Sequence, residues 1–174
     1  YGPVASGTAR YRERPAATAA AHLRDLAAQH GAHVFYLSED TLSPRGAKAL
    51  AATLADAGGG IRWATDLRPE PALDDATCGA LAAGGLLAVS VGVESANPRV
   101  LARIDKGIRV DQVESAVRAL AGAGVAVEAM AFTGFPGETT AEALETVRWL
   151  GRMRPSLSLF ICGEFALTHG SRVA

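Results

Sequence analysis

Hydrophobic positions in this chain fall into two alternating rhythms, one with the spacing of helices and one with that of strands. From Ala16 to His30, Leu23, Leu26 and Ala27 form an apolar stripe, with Pro15 suited to a first helical turn and Gly31 to the exit. His33 to Leu37 is then a short apolar run rich in strand formers. Ser43 and Pro44 offer an N-cap and a first-turn proline to a helix that carries Leu50 and Leu54 and stops at the glycines 58–60. Ile61 to Thr65 alternates as a strand does, and Asp74 or Asp75 can cap a short helix through Leu81. Leu86 to Val93 is nearly continuous in apolar residues, the pattern of a strand buried on both faces.

The second half repeats the rhythm. Asn97 and Pro98 open a helix just beyond the strand that ends at Glu94 and Ser95. Asp111 and Glu114 form a D-x-x-E capping pattern ahead of Val113, Ala116, Val117 and Leu120, and Gly122 and Gly124 close that helix. Val125 to Phe132 is the next strand, Thr139 with Glu142 starts a helix running to about Gly151, and Ser156 to Ile161 is a final strand. Strands about 25 to 40 residues apart, separated by helices, predict an α/β fold of right-handed βαβ units. The expected object is a partial (β/α) TIM-type barrel with one parallel sheet, filling residues 1–174 as one domain. Its five strands should lie in sequential order, with Leu37, Val91 and Phe132 buried and an open edge beside His33–Leu37.

Composition narrows the function classes. The 174 residues are 49% hydrophobic and 20% charged, with 17 Lys plus Arg against 18 Asp plus Glu. A formal net charge of −1 gives no footprint for nucleic acid and no polybasic membrane surface. No apolar stretch approaches the roughly 20 residues of a membrane span, and no signal peptide opens the chain. Cys78 and Cys162 are far apart, without metal-ligand spacing, so a cytoplasmic protein with two packing thiols and no metal ligand of its own is expected.

Chemistry in a parallel sheet gathers at the carboxyl ends of its strands. Four ends are polar here: Ser38-Glu39-Asp40, Thr65-Asp66-Leu67-Arg68, Glu94-Ser95, and Thr133 to Thr139, "TGFPGET". Each has a structural alternative. Acids after strands often cap helices, Gly134 and Gly137 around Pro136 can simply turn the chain, and Glu138 favours a following helix N-terminus. Adjacent strands would bring all four groups to one mouth.

Taken together, "FYLSEDTL", "GVESANPRVLARIDKG" and "GVAVEAMAFTGFPGETTAEALETVRWL" resemble the radical S-adenosylmethionine (radical SAM) enzymes over essentially the whole chain. In that family a strand ends in G-V-E-S, a short helix leads to a K-G exit, and the next strand ends in G-F/L-P-G-E-T. The closing "FICGEFALTHGS" is similar to a subset fused to cobalamin-binding domains. The resemblance implies that Glu94 hydrogen-bonds the ribose hydroxyls of S-adenosylmethionine with help from Ser95, since a carboxylate can accept from two neighbouring hydroxyls. It puts Lys106 by the methionyl carboxylate, although a cation beside Gly107 also suits a helix C-terminus. Glu39 and Asp40 take the place of the methionyl-amine site, matching by position and not by the family's Gly-Gly-Glu pattern. Thr133, Gly134, Phe135 and Pro136 form the adenine wall, with Gly134 allowing close backbone approach, and Arg68 is a contact for carboxylate or substrate.

The family's C-x-x-x-C-x-x-C loop is absent, and two distant cysteines cannot replace three thiolates on a [4Fe–4S] cluster. The resemblance therefore implies a portion of a longer enzyme, with the cluster-binding first strand and loop upstream of Tyr1 and no catalysis by this portion alone. The complete enzyme would cleave S-adenosylmethionine reductively to a 5′-deoxyadenosyl radical. It would need a reductant such as flavodoxin or ferredoxin, and could carry cobalamin. Its substrate, a small molecule or peptide, is not legible. Two rivals remain at this point: a degenerate barrel serving as a binding or scaffold module, and an unrelated barrel enzyme using the rim carboxylates for acid–base work.

Overall fold

A computed structural model of the chain describes residues 13–56, 58 and 60–166, without the side chains of residues 39–41. The expected segments at Tyr1-Gly2, at Gly59 and in the last part of "FICGEFALTHGS" lie outside the described residues, as do the side chains of Glu39 and Asp40. The elements are α1 (Ala16–His30), β1 (Val34–Leu42), α2 (Pro44–Asp56), β2 (Arg62–Leu67), α3 (Asp75–Ala83), β3 (Leu86–Glu94), α4 (Pro98–Ile104), α5 (Val110–Gly122), β4 (Ala126–Thr133), α6 (Thr140–Met153) and β5 (Leu159–Glu164). The strands form one sheet in the order β1-β2-β3-β4-β5, and each neighbouring pair is parallel. Sequential parallel order with a helix in every crossover is the arrangement of a partial (β/α) barrel.

Helix starts follow their capping chemistry. Asp74 accepts from the Thr77 N–H at 2.7 Å to begin α3, and the Asn97 side chain accepts from Arg99 and Val100 at 3.0 and 3.1 Å to begin α4, with Pro98 in its first turn. Thr139 and Glu142 close a reciprocal box at the start of α6. The D-x-x-E reading of α5 is corrected. Arg109 is the residue ahead of that helix, its N–H is taken by Gln112 Oε1 at 3.0 Å, and Asp111 sits inside the first turn.

The core lies between the helices and one face of the sheet. Trp63 and Leu67 of β2, Val89, Val91 and Val93 of β3, and Val127, Ala129 and Ala131 of β4 pack there against Leu50, Leu81, Leu101, Leu120 and Trp149. The intervening residues face the other way, because successive strand residues point to opposite faces. That second face carries Ala64 and Asp66, Ser90 and Gly92, Glu128 and Met130, and it is the concave side of the partial barrel. Among the described residues, no helix is long and apolar enough to cross a membrane.

Three burial expectations divide. Val91 is fully buried, whereas Leu37 and Phe132 are only half-buried. Leu37 belongs to strand β1, which among the described residues has a neighbour on one side only. Phe132 lies on the concave face, where it stacks on Phe135 at a centroid distance of 6.3 Å and meets Phe165 at a tilt of 46° and 5.2 Å. The open edge at β1 has a counterpart that the sequence reading missed. Every residue of β5 is exposed, and Leu159, Phe160 and Ile161 all keep more than half their surface in solvent. Strand limits also moved. β1 runs on to Leu42 through a register shift, so Ser38-Glu39-Asp40 lies within the strand instead of after it. β5 starts at Leu159 because Pro155 sits in a 3-10 turn over Arg154–Ser156.

Candidate functional site

The carboxyl end of β3 turns sharply, and Glu94 makes the turn with φ of 62°, a left-handed conformation that a residue with a Cβ adopts only at some cost. Its carboxylate is met by Lys106, which arrives from the α4–α5 loop. That loop is itself folded back by two left-handed residues, Asp105 at φ 55° and Gly107 at φ 67°. Lys106 Nζ donates to Glu94 Oε1 and lies 3.4 Å from the Gly92 carbonyl oxygen. Only 11% of the lysine side chain and 23% of the glutamate side chain is exposed. Arg68, just past β2, donates from Nη2 to the Lys106 carbonyl and so pins the loop to the neighbouring strand end. Among the described residues, Glu94 Oε2 accepts no hydrogen bond. The structure thus brings Glu94, Lys106 and Arg68 together at one rim.

Ser95 goes elsewhere. It is 1% exposed, its hydroxyl lies 3.2 Å from Thr146 Oγ1 of α6, and it accepts from the Asn97 N–H at 3.1 Å. Thr146 Oγ1 also accepts from the Ala96 N–H at 3.0 Å. Ser95 is committed to fastening the loop behind Glu94, and its hydroxyl is not brought to the rim.

After β4, Glu138 folds back so that Oε2 accepts from the N–H groups of Gly134 and Phe135, the second at 3.3 Å. The acid expected to favour a helix N-terminus instead braces its own loop, and its Oε1 is buried with no partner among the described residues. Phe135 is buried, Pro136 and Thr133 are half-buried, and Gly134 is exposed. The reason for glycine at 134 is its φ of 84°, since a Cβ there would find its nearest neighbour at an ordinary 3.7 Å. Phe135 and Phe165 meet edge to face at 5.0 Å, and the Phe165 N–H donates to the Thr133 carbonyl at 2.8 Å, tying the ends of β4 and β5.

One polar feature escaped the sequence reading. Asp66, Ser90 and Glu128 are register partners across β2, β3 and β4, and Tyr36 of β1 reaches the same face. Tyr36 Oη donates to Asp66 Oδ1 at 2.6 Å, and Ser90 Oγ donates to Glu128 Oε2 at 2.6 Å. The Asp66 hydrogen bond, then burial, pushes the Tyr36 phenol above its usual range. Alternation in β2 and β4 was the available signal.

The thiols are not arranged for metal. Cys78 is buried in α3, where burial and then Asp74 and Asp75 push it up to about 11, and Cys162 is exposed on β5. No group of three His, Cys, Asp or Glu among the described residues could hold an ion. These residues do not fit a [4Fe–4S] cluster. A nucleoside is a different matter, because the rim offers a half-buried carboxylate with one oxygen that accepts no hydrogen bond among the described residues.

Comparison with known proteins supplies the family. Residues 3–150 match the Radical SAM superfamily. No curated protein sequence matches the chain at a significant level. Among solved structures, the chain is similar to the radical S-adenosylmethionine methyltransferase TsrM from Kitasatospora setae, with cobalamin and a [4Fe–4S] cluster bound. The TM-score is 0.76 at 22% identity, covering 89% of this chain and 32% of that one. The cobalamin-dependent S-adenosylmethionine radical enzyme OxsB gives 0.66 at 17% identity, over 80% of this chain and 22% of that one. Coproporphyrinogen III oxidase (HemN) from Escherichia coli, a radical SAM enzyme, gives 0.63 at 12% identity, over 86% and 38%. At these identities the likeness is one of fold, and the chain spans about a third of the length of TsrM.

Proposed function

Since this chain belongs to the radical SAM superfamily, we propose that its rim holds the nucleoside of S-adenosylmethionine in a longer enzyme that cleaves this cofactor reductively. When bound, the cofactor supplies a carbon-centred 5′-deoxyadenosyl radical for modification of the substrate. The single observation that carries the reading is Glu94, placed by a left-handed turn at the end of β3, with one oxygen held by Lys106 and the other without a partner among the described residues. Two vicinal ribose hydroxyls are suitable donors to that carboxylate. Thr133 to Pro136, braced by Glu138 and backed by Phe132 and Phe165, would wall the adenine. The same proposal directs the methionyl end toward Lys106, Arg68 and the Glu39–Asp40 segment of β1. Ser95 supports Glu94 from behind, through Thr146, and touches no ligand in this reading.

The iron–sulfur cluster that the family implies must come from outside the described residues, because Cys78 and Cys162 lie on different elements and are too few. The test uses the complete protein, reconstituted anaerobically with iron and sulfide and reduced with dithionite or a flavodoxin. Formation of 5′-deoxyadenosine from S-adenosylmethionine supports the reading; a cluster-loaded, reduced protein that forms none would refute it. A second reading concerns cobalamin. The likeness to TsrM and OxsB, both solved with cobalamin bound, favours a cobalamin-binding segment in the complete protein. Retention of added hydroxocobalamin through gel filtration, followed by its visible absorbance, tests that separately.

A further inference from the structure

We infer that Lys106 is a positioning residue for the ribose: it fixes Glu94 so that the second carboxylate oxygen, which has no partner among the described residues, meets the sugar hydroxyls. This rests on the proposal that Glu94 binds ribose, and it adds to the expectation of a methionyl contact a role at the opposite end of the ligand. The argument begins with Gly92. A Cβ at that position would collide with Lys106 Nζ and lie 2.8 Å from Glu94 Oε1, although the φ there needs no glycine. The missing side chain therefore leaves room for the ion pair itself. Lys106 is nearly buried, and an ammonium taken out of water needs partners. Glu94 Oε1 and the Gly92 carbonyl supply two, so the lysine cannot swing away without losing both.

The lysine is fixed from behind as well. Arg68 Nη2 holds the Lys106 carbonyl, and the left-handed pair Asp105 and Gly107 bends the loop on either side. Three parts of the chain thus meet at this pair: Arg68 at the end of β2 holds the Lys106 backbone, and Lys106 of the α4–α5 loop holds Glu94 at the end of β3. A carboxylate with one oxygen bound to an ammonium has its torsion locked by that contact. The second oxygen then presents a charged acceptor in a fixed direction, the condition under which two donor hydroxyls gain most.

The experiment compares ligands that differ in one group, titrated into the complete, cluster-loaded enzyme by ligand-observed NMR. Adenosine carries the ribose hydroxyls and lacks the methionyl carboxylate; 2′,3′-dideoxyadenosine lacks both. Lys106→Met should weaken adenosine by roughly tenfold, the scale of one charge-assisted hydrogen bond, and leave 2′,3′-dideoxyadenosine unchanged. In a Glu94→Gln background the same substitution should have little further effect on adenosine. Equal weakening of both nucleosides would make the role merely structural and overturn the inference. Weakening of S-adenosylmethionine with adenosine untouched would make Lys106 a carboxylate ligand only, and also overturn it. If Glu94→Gln itself leaves adenosine binding intact, the parent reading of Glu94 falls, an outcome distinct from a failure confined to Lys106. Should Lys106→Met not fold, Gly92→Ala disturbs the same pair while keeping both charges, and is predicted to give the same nucleoside pattern.

Discussion

Thr146 of α6 is the buried hinge pin of the loop that carries Glu94, and replacing it with valine isolates one hydroxyl. The side chain is wholly buried, and its Oγ1 accepts from the Ala96 N–H at 3.0 Å and lies 3.2 Å from Ser95 Oγ. Valine has nearly the same shape, so Thr146→Val opens no cavity. It leaves the Ala96 N–H buried without an acceptor, and that desolvated donor costs about 1–3 kcal/mol. Ser95 keeps its bond from the Asn97 N–H at 3.1 Å, so a second full penalty is not added. A loss of about 2 kcal/mol follows, or roughly 4–8 °C in Tm for a protein of this size. Thr146→Ser is the control: it keeps the oxygen and loses one methyl, which costs about 1 kcal/mol. Urea denaturation followed by tryptophan fluorescence reads both, since Trp63 and Trp149 are fully buried. The reasoning is refuted if Thr146→Val proves as stable as the parent, or loses less than Thr146→Ser.

Gly92→Ala should leave Tm within about 3 °C, because a gain in strand backbone entropy offsets a strained half-buried ion pair, yet it should weaken S-adenosylmethionine about tenfold or more; a folded variant with parental affinity would contradict the crowding argument. The Glu142 carboxyl is held down to about 2, first by the Arg99 side chain and then by the Thr139 N–H and hydroxyl. Because its folded value is depressed, its contribution is complete above about pH 4.5 and is lost as pH falls toward about 2. Arg99→Ala should therefore narrow its stability gap from the parent as an acid titration passes through that window, and a gap constant from pH 7 to 2 would contradict this. Ellman's reagent at pH 8 should label Cys162 rapidly and Cys78 only on unfolding, since Cys78 is buried with its thiol pushed up to about 11; two fast thiols would refute that placement.

Local chemistry that the sequence states outright transferred well to the structure. The Asn97-Pro98 start, the Thr139–Glu142 box and the apolar run ending at Glu94 each depend on residues within a turn of one another, and each appeared where expected. Reading failed where distant parts of the chain decide. Whether Leu37 is buried depends on a second neighbour strand, and among the described residues β1 has only one. The run Ser38-Glu39-Asp40 looked like a strand end, but pairing with β2 carries β1 on to Leu42. At the rim, the residue types were legible and their alliances were not. That Lys106 lies near Glu94 at the mouth was legible, while their direct ion pair and the carbonyl bond from Arg68 exist only after three segments converge. Ser95, adjacent to Glu94 in sequence, faces α6 because Thr146 supplies a partner 51 residues away.

Glu94→Gln in the complete, cluster-loaded enzyme tests the central claim most directly, with S-adenosylmethionine affinity measured by anaerobic calorimetry. Glutamine keeps an acceptor of the same length and removes the charge, so the ribose hydroxyls lose about 1–2 kcal/mol of charge-assisted hydrogen bonding, or roughly 5- to 30-fold in Kd. The account predicts that loss in a folded variant whose Tm falls by several degrees, because the nearly buried Lys106 loses its counter-charge. A correctly folded variant that binds S-adenosylmethionine as tightly as the parent would contradict it, and would leave Glu94 as a strand end held by Lys106.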